Sequence, residues 1–142
     1  MPVALQSQVD GPTRAVRDRL AYALALMVIT PVGFATKFYD GPLAIWVNQS
    51  LSGVLYVAFW ILLVMVGVPQ LRPVVVALGV FLITALLEVA QLWQPPWLEA
   101  IRGHFLGRTL LGTTFVLSDF LYYAFGALLG LSVVALCRRV GK

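Results

Sequence analysis

Charged residues are scarce in this chain. Asp, Glu, Lys and Arg make up 11% of its 142 residues, whereas hydrophobic residues make up 61%. A soluble domain usually carries about 25% charged residues, so a water-facing surface is hard to assemble from this composition. The shortage argues against a soluble protein and favours a membrane protein, whose apolar surface needs no contact with water.

Cysteine and histidine are each represented by one residue. A lone Cys137 excludes a disulfide within the chain. Its position beside two arginines, at the end of an apolar run, favours a plain helix-end thiol over the alternative of palmitoylation. His104 has no second His or Cys at metal-ligand spacing, so we expect no metal and no cofactor. Ser118 and Asp119 are adjacent, but without a placed His they do not indicate a catalytic triad.

Free-standing basic runs with interleaved aromatic residues are also missing. The net charge is +4, but the basic residues lie at the two ends of the chain and in the loops between apolar runs. Topology determinants of membrane proteins have this distribution, and the basic face of a nucleic-acid-binding protein does not. We therefore expect membrane lipids as partners and no nucleic acid.

Long apolar runs, in contrast, are abundant. At roughly 20 residues per membrane span, the chain can hold about four, and spans of this kind must be helical because an isolated strand cannot satisfy its backbone in lipid. The sequence predicts an all-α membrane protein, a bundle of about four transmembrane helices with an interfacial helix or loop between the last two. We predict a polar N-terminal tail at 1–19 and a single transmembrane domain at 20–142, with spans at about 20–38, 51–68, 74–92 and 115–137 and an interfacial segment at 93–114.

The first apolar run also has features of a secretory signal peptide. A basic start precedes about 15 apolar residues and the small residues Gly33 and Ala35. A retained span is favoured, because the run can extend to Tyr39 with Lys37 reaching the interface and further spans follow at once.

The basic residues predict the orientation of the four spans. Seven of them fall on the side that holds both termini: Arg14, Arg17, Arg19, Arg72, Arg138, Arg139 and Lys142. Three fall on the other side: Lys37, Arg102 and Arg108. Because loops rich in Lys and Arg stay in the cytoplasm, we predict cytoplasmic termini in a bacterial inner or internal membrane.

The stretch from Glu88 to Asp119 concentrates polar residues in the second half of the chain. Glu88 lies four residues before the predicted end of the third span at Leu92, and Asp119 lies four residues after the predicted start of the fourth at Phe115. We therefore expect both carboxyl groups about 6 Å inside their helix ends, at one level. A carboxylate that faces lipid is costly, so the two should face each other or a partner.

Other polar residues extend this candidate site. Gln91 shares a helical stripe with Glu88, and Arg102 and Arg108 are the expected counter-charges of the two acids. The predicted polar site consists of Glu88, Gln91, Gln94, Trp97, Arg102, Asp119 and Tyr123, and Gly126 and Gly130 are predicted helix-packing positions with GxxxG spacing. The alternatives are polar contacts that only join helices, a structural ion pair to Arg102, and an aromatic belt formed by Trp93 and Trp97.

The same stretch resembles a known family. It reads E-x-x-Q-x-x-Q-x-P-W-x-x-x-I-R-x-x-x-L-G-x-x-x-L-G-x-x-F-x-x-S-D-x-x-x-Y-x-x-G-x-x-x-G from Glu88 to Gly130, and it is similar to the bacterial family of unknown function DUF2809. The resemblance implies a compact membrane protein of four or five helices with no assigned activity. It also implies a basic residue after the first span, which Lys37 supplies, and a Gly-Asp pair at the start of the second, where this chain has Ser52-Gly53. A more distant similarity is to the VanZ-like proteins, small membrane proteins linked to glycopeptide resistance.

Three functional hypotheses follow. The sequence favours a non-enzymatic membrane protein, an accessory subunit of a larger membrane complex or a homo-oligomer. The alternative is an outer-leaflet protein or enzyme that binds a lipid or lipid-linked substrate, in which Arg102 holds an anionic headgroup and Glu88 and Asp119 act as general base or proton acceptors. A weaker alternative is a proton-coupled transporter, for which four spans leave little room without oligomerisation.

Overall fold

All regular elements in the described part of the chain are helices. The computed structural model describes residues 3–111 and 117–140, with side chains from 13 to 108 and from 117 to 140. A π-helical turn at Val47–Leu51 joins the second helix to the third. The helices are α1 (Val3–Phe38), α2 (Ala44–Trp46), α3 (Ser52–Gly67), α4 (Pro73–Ala90), α5 (Pro96–Arg102), α6 (Phe105–Leu111) and α7 (Asp119–Val140).

Four helical runs are long and apolar enough to cross a membrane. They are Thr13–Phe38, Ala44–Gly67, Pro73–Ala90 and Asp119–Val140. The two short helices α5 and α6 lie between the third and fourth runs. The predicted all-α membrane fold with about four spans is therefore confirmed.

Several helix ends differ from the boundaries that the sequence predicts. The segment expected to be a polar tail is helical from Val3 onward, because α1 runs without a break into the first span. Residues 44–50, expected outside the second span, continue the helical run of α3, and this continuation satisfies backbone groups near the interface. Helix α7 begins at Asp119. The predicted start of the last span at Phe115 lies outside the described residues, as do residues 112–114 of the predicted interfacial segment.

Helix α3 lies at the centre of the bundle. It packs against α1, α4 and α7, and α7 also packs against α4 and α1. The core between them is apolar apart from one tyrosine hydroxyl: Tyr22, Val57, Ile61, Leu62, Met65, Val76, Ala77 and Val134. The outer faces of the long helices carry exposed apolar residues such as Leu24, Met27 and Leu82, as expected where lipid replaces water.

Two glycines let α7 approach α3 closely. A Cβ atom at Gly126 would lie 2.5 Å from the backbone oxygen of Val54, and one at Gly130 would lie 2.7 Å from Cδ1 of Ile61. Both positions are buried. The helix-packing residues that GxxxG spacing singles out therefore lie at the contact between α3 and α7.

The basic end of the bundle is closed by hydrogen bonds from two arginines. Arg138 donates from Nε to the Tyr22 hydroxyl at 2.8 Å and from a terminal nitrogen to the Pro69 carbonyl at 3.2 Å. Arg19 reaches the carbonyl of Gly67 at 3.5 Å. These contacts bring the polar part of α1, the loop after α3 and the last turns of α7 to one end of the bundle. The end of α4, the start of α7 and the segment that connects them therefore lie at the opposite end.

Candidate functional site

A buried carboxyl group, that of Glu88, lies at the end of the bundle opposite the basic end. Glu88 is 1% exposed and lies in the last turn of α4. Its Oε2 accepts a hydrogen bond of 2.7 Å from the hydroxyl of Tyr123 on α7. The Asp119 carboxyl, at the start of α7, lies within hydrogen-bonding reach of the Glu88 carboxyl. The structure thus brings together three of the residues that the sequence predicts as a site.

Local sequence explains why these three side chains meet. Pro95 and Pro96 follow α4 and prevent its continuation, because the residue before a proline avoids the helical region. Asp119 is the first residue of α7, where a carboxylate interacts favourably with the helix dipole. Tyr123 follows four residues later, so it lies on the same face of α7 as Asp119. Both helix ends therefore present their polar face at one level.

The contact between Glu88 and Asp119 has a chemical consequence. An ionised carboxylate has only acceptor oxygens, so a hydrogen bond between two carboxyl groups requires one proton. The pair therefore carries one negative charge while this hydrogen bond is present.

A cation at the end of the first span interacts with Asp119. Lys37, in the last turn of α1, acts electrostatically on Asp119. Its Nζ donates a hydrogen bond of 3.3 Å to the backbone oxygen of Asn48 in the π-helical turn. The Asn48 side chain donates in turn to the carbonyls of Tyr39 and Ala44. A π-helical turn is uncommon and often occurs at functional sites. Here it carries the Asn48 carbonyl that accepts the hydrogen bond from Lys37.

The floor of the site is made by α3. A Cβ atom at Gly53 would lie 3.3 Å from Cε1 of Tyr123, so the glycine leaves room for the tyrosine ring. Tyr56, one turn further along α3, is close enough to interact electrostatically with Tyr123. Ser52 is buried and donates to the Asn48 carbonyl at 2.5 Å. The family resemblance implies a Gly-Asp pair where this chain has Ser52-Gly53. Gly53 thus stands in place of the expected carboxylate, and its small size leaves room for the Tyr123 ring.

Arg102 does not have the role that the sequence predicts. It is 4% exposed, and its ion pair of 3.0 Å is with Glu99, one turn earlier in α5. The guanidinium also donates to the carbonyls of Ala90 and Trp93 at 3.1 and 3.0 Å. Carbonyls at a helix C-terminus lack partners within the helix, so Arg102 caps α4 and fixes the corner to α5. The counter-charge expectation for Glu88 and Asp119 is therefore corrected: Lys37 takes this place.

Four other residues from the sequence prediction follow the end of α4. Gln91 is buried and forms the C-terminal cap position of α4, whereas Gln94 is exposed. Trp97 is exposed and makes an edge-to-face contact of 5.5 Å between ring centroids with Trp93. Arg108 is exposed, and it makes no ion pair with any side chain that the structure describes. Gln91 contacts Glu88 through the backbone, since its N–H donates to the Glu88 carbonyl at 3.2 Å.

Lys37 is the main residue that sequence reasoning left out of the site. The signal for it was weak, because a lone Lys at the end of an apolar run is usually an interface anchor. Asn48 gave no signal at all, since its role depends on the π-helical turn. Across the parts of the chain that the structure describes, no three His, Cys, Asp or Glu residues are grouped as metal ligands.

Comparison with protein-family models gives a match over the middle and second half of the chain. Residues 43–127 match the family described as Protein of unknown function (DUF2809). No curated protein and no solved structure matches the chain. The matched range covers more than half of the sequence and includes Glu88, Asp119 and Tyr123, while Lys37 precedes it. This chain therefore belongs to the DUF2809 family.

Proposed function

We propose that this protein is a non-enzymatic membrane protein that binds the polar headgroup of a membrane amphiphile. The supporting observation is the convergence of four ionisable side chains from three helices at one end of the bundle: Lys37, Glu88, Asp119 and Tyr123. Ionisable residues inside membrane proteins are rare and costly, and they commonly mark functional sites. This chain has few charged residues to place, and three of them, Lys37, Glu88 and Asp119, lie at this end of the bundle.

Exposure of the four residues favours binding over catalysis. Glu88 is buried beneath Tyr123 and Asp119, and both neighbours occupy its oxygens. A general base must reach the proton that it removes, and Glu88 does not face the surface. Lys37 is exposed and Asp119 is half-buried, so these two form the accessible rim. A rim of fixed charges above a buried support suits recognition of a headgroup.

The bundle interior argues against transport by a single chain. Proton pathways use polar or ionisable residues within the membrane. The middle of the bundle is instead filled by Val57, Ile61, Leu62 and Val134, which are fully buried. This apolar layer separates the carboxyl pair from Tyr22 and Arg138 at the basic end. The carboxyl pair therefore exchanges protons and ligands with one membrane face.

That face is the outer one in our proposal. Five exposed arginines lie at the opposite end, namely Arg14, Arg17, Arg19, Arg72 and Arg139. Arg102 and Arg108 instead belong to the segment between α4 and α7. Basic segments remain in the cytoplasm during insertion. The rim of Lys37 and Asp119 then lies in the headgroup region of the outer leaflet.

Lipid retention by the purified protein tests this function. Glu88→Gln and Asp119→Asn, purified in mild detergent after incubation with total membrane lipid, are expected to retain about tenfold less tightly bound lipid, the effect of losing one hydrogen bond to a charged group. Gln94→Ala is the matched control, because Gln94 is polar and exposed but outside the cluster. Each variant must first elute as a folded species on gel filtration, and bound lipid is then measured by mass spectrometry.

Two outcomes contradict the proposal. If both carboxyl variants retain as much lipid as the wild type, the cluster only joins helices. If the wild type purifies without bound lipid but with a stoichiometric protein partner, an accessory-subunit role replaces headgroup binding.

A further inference from the structure

The basic end of the bundle carries far more positive than negative charge. Six arginines with described side chains lie there: Arg14, Arg17, Arg19, Arg72, Arg138 and Arg139. The acidic side chain described at this end is Asp18, which is only 8% exposed. The ion pair within 4.0 Å that the described residues form joins Arg102 to Glu99, at the other end. The exposed arginines of the basic end therefore pair with no carboxylate in the described part of the chain.

Hydrogen bonds gather three of these arginines around the loop between α3 and α4, residues 68–72. Arg138 of α7 donates to the Leu71 carbonyl at 3.4 Å. Arg19 of α1 lies 3.5 Å from the carbonyl oxygen of the last residue of α3. Arg72 ends the loop, directly after Leu71. Arginines from two helices and one loop thus meet at one place, although they are far apart in sequence.

The arginines around this loop differ in exposure. Arg138 is half-buried, and its Nε also donates to the Tyr22 hydroxyl at 2.8 Å, so it holds α1, α7 and the loop together. Arg19, Arg72 and Arg139 are exposed, and Arg139 directly follows Arg138. We call these three exposed residues the arginine patch. Its guanidinium groups are accessible to a ligand, while the contacts of Arg138 keep the three segments that carry them together.

Membrane insertion does not by itself require this arrangement. The bias of positive loops depends on the number of Lys and Arg residues near the ends of spans, and not on contacts that bring them together. Guanidinium groups bind phosphate through paired, charge-assisted hydrogen bonds, so a patch without acidic neighbours favours a phosphate ligand. Exposed apolar residues continue from the patch along the same helices, Leu20 and Leu24 on α1 and Leu136 on α7. A phosphate that carries lipid chains therefore suits both surfaces.

We infer that the arginine patch binds the headgroup of an anionic phospholipid, in the leaflet that is cytoplasmic in our proposed orientation. The phosphate contacts Arg72 and Arg139. A zwitterionic headgroup also has a phosphate, but its ammonium would lie among the arginines, and like charges brought together weaken binding. Anionic lipids attract basic segments next to membrane spans in this leaflet. The inference goes beyond the proposed function, because the patch lies at the opposite end of the bundle from Glu88.

Competitive lipid retention by the full-length protein tests the inference. The protein in mild detergent is incubated with equal amounts of phosphatidylglycerol and phosphatidylcholine with identical acyl chains, separated by gel filtration, and its bound lipid is measured by mass spectrometry. The wild type should retain more phosphatidylglycerol. Arg72→Gln and Arg139→Gln should each lower the ratio of phosphatidylglycerol to phosphatidylcholine about fivefold, and the double variant should bring it close to one. Added salt should lower the wild-type ratio, because it screens exposed charges.

Arg108→Gln is the matched control, because it removes the same charge from an exposed arginine at the other end of the bundle. It should leave the ratio unchanged. Equal retention of the two lipids by the wild type overturns the inference, and the arginines then serve only membrane orientation. An equal loss in Arg108→Gln and Arg72→Gln also overturns it, because net charge and not the patch would then select the lipid. These variants leave Glu88 and Asp119 intact, so either proposal can fail without the other.

Discussion

At the scale of single residues, Glu88 shows why an acid is tolerated in so apolar a chain. It is buried, but one oxygen accepts from Tyr123 and its carboxyl group also contacts Asp119. A buried polar group without partners costs about 1–3 kcal/mol, and more if it is charged. The two contacts remove most of that cost, so the energetics of the site depend on the side chains of α7.

Tyr123→Phe should measure this dependence. Loss of the hydroxyl removes a donor from a buried carboxyl group, so we expect the free energy of unfolding to fall by about 1–2 kcal/mol, near the upper range for hydrogen bonds within membrane proteins. Tyr122→Phe is the matched control, because its hydroxyl accepts an exposed bond from Trp46, and its effect should stay within about 0.5 kcal/mol. Unfolding in denaturing detergent, followed by circular dichroism, gives both values. Equal losses in the two variants would show that Glu88 does not need Tyr123.

The spacing of polar residues predicted which face of a helix is buried better than it predicted which side chains of different helices interact. The spacing of Glu88 and Gln91 marked the inner face of α4 correctly, since both are buried, and Thr84, one turn before Glu88, is buried as well. Thr84, however, donates to the Val80 carbonyl of its own helix at 2.7 Å. Periodicity reports which way a side chain points, but the electrostatic interaction between Lys37 and Asp119 depends on how distant helices pack. Local spacing carries no information on that packing.

At the scale of helices, the contact between α3 and α7 determines whether the site exists. Gly126 and Gly130 allow these helices to approach, and Tyr123 lies one turn before the first of them. The two glycines differ in what they touch. A side chain at Gly126 would meet the backbone of Val54, whereas one at Gly130 would meet the end of the Ile61 side chain, which can rotate away.

Alanine substitutions should therefore follow a definite order. Gly126→Ala should destabilise most, by about 1–3 kcal/mol, because overpacking against backbone forces the helices apart. Gly130→Ala should cost less. Gly79→Ala in α4 is the control, since nothing lies within 4 Å of a Cβ atom there, and it should be neutral or stabilise by up to about 1 kcal/mol through helix propensity. The same detergent unfolding assay ranks the three, and a larger loss at Gly79 than at Gly126 would contradict the packing described here.

The corner between α4 and α5 shows a limit of prediction at this scale. Glu99 and Arg102 are three residues apart in sequence, and such pairs interact on a helix surface. The structure shows this local pair, together with carbonyl contacts that cap α4. The pairing expected with Glu88 and Asp119 required α5 to lie over the carboxyl groups. Short helices between long ones can be recognised from their prolines, but their direction depends on contacts that composition does not reveal.

At the scale of the whole molecule, charge is divided between the two ends of the bundle. The basic end is held by Arg138, which joins Tyr22 of α1 to the loop after α3. The other end holds Lys37 and the carboxyl pair. Composition alone predicted four spans because bilayer thickness sets helix length. It also predicted that both termini share a side, since an even number of spans returns the chain to where it began.

We predict the orientation in the membrane from this division of charge, and it can be measured directly. In a Cys137→Ser background, His104→Cys marks the site end and Val140→Cys marks the basic end, and both residues are exposed. We expect a membrane-impermeant maleimide to label His104→Cys in spheroplasts, and to label Val140→Cys only after permeabilisation, because arginine-rich ends remain cytoplasmic. The Cys137→Ser parent controls for background labelling. The reverse pattern would place Lys37 and Asp119 at the inner leaflet, and the headgroup that reaches them would then have to come from the cytoplasmic side.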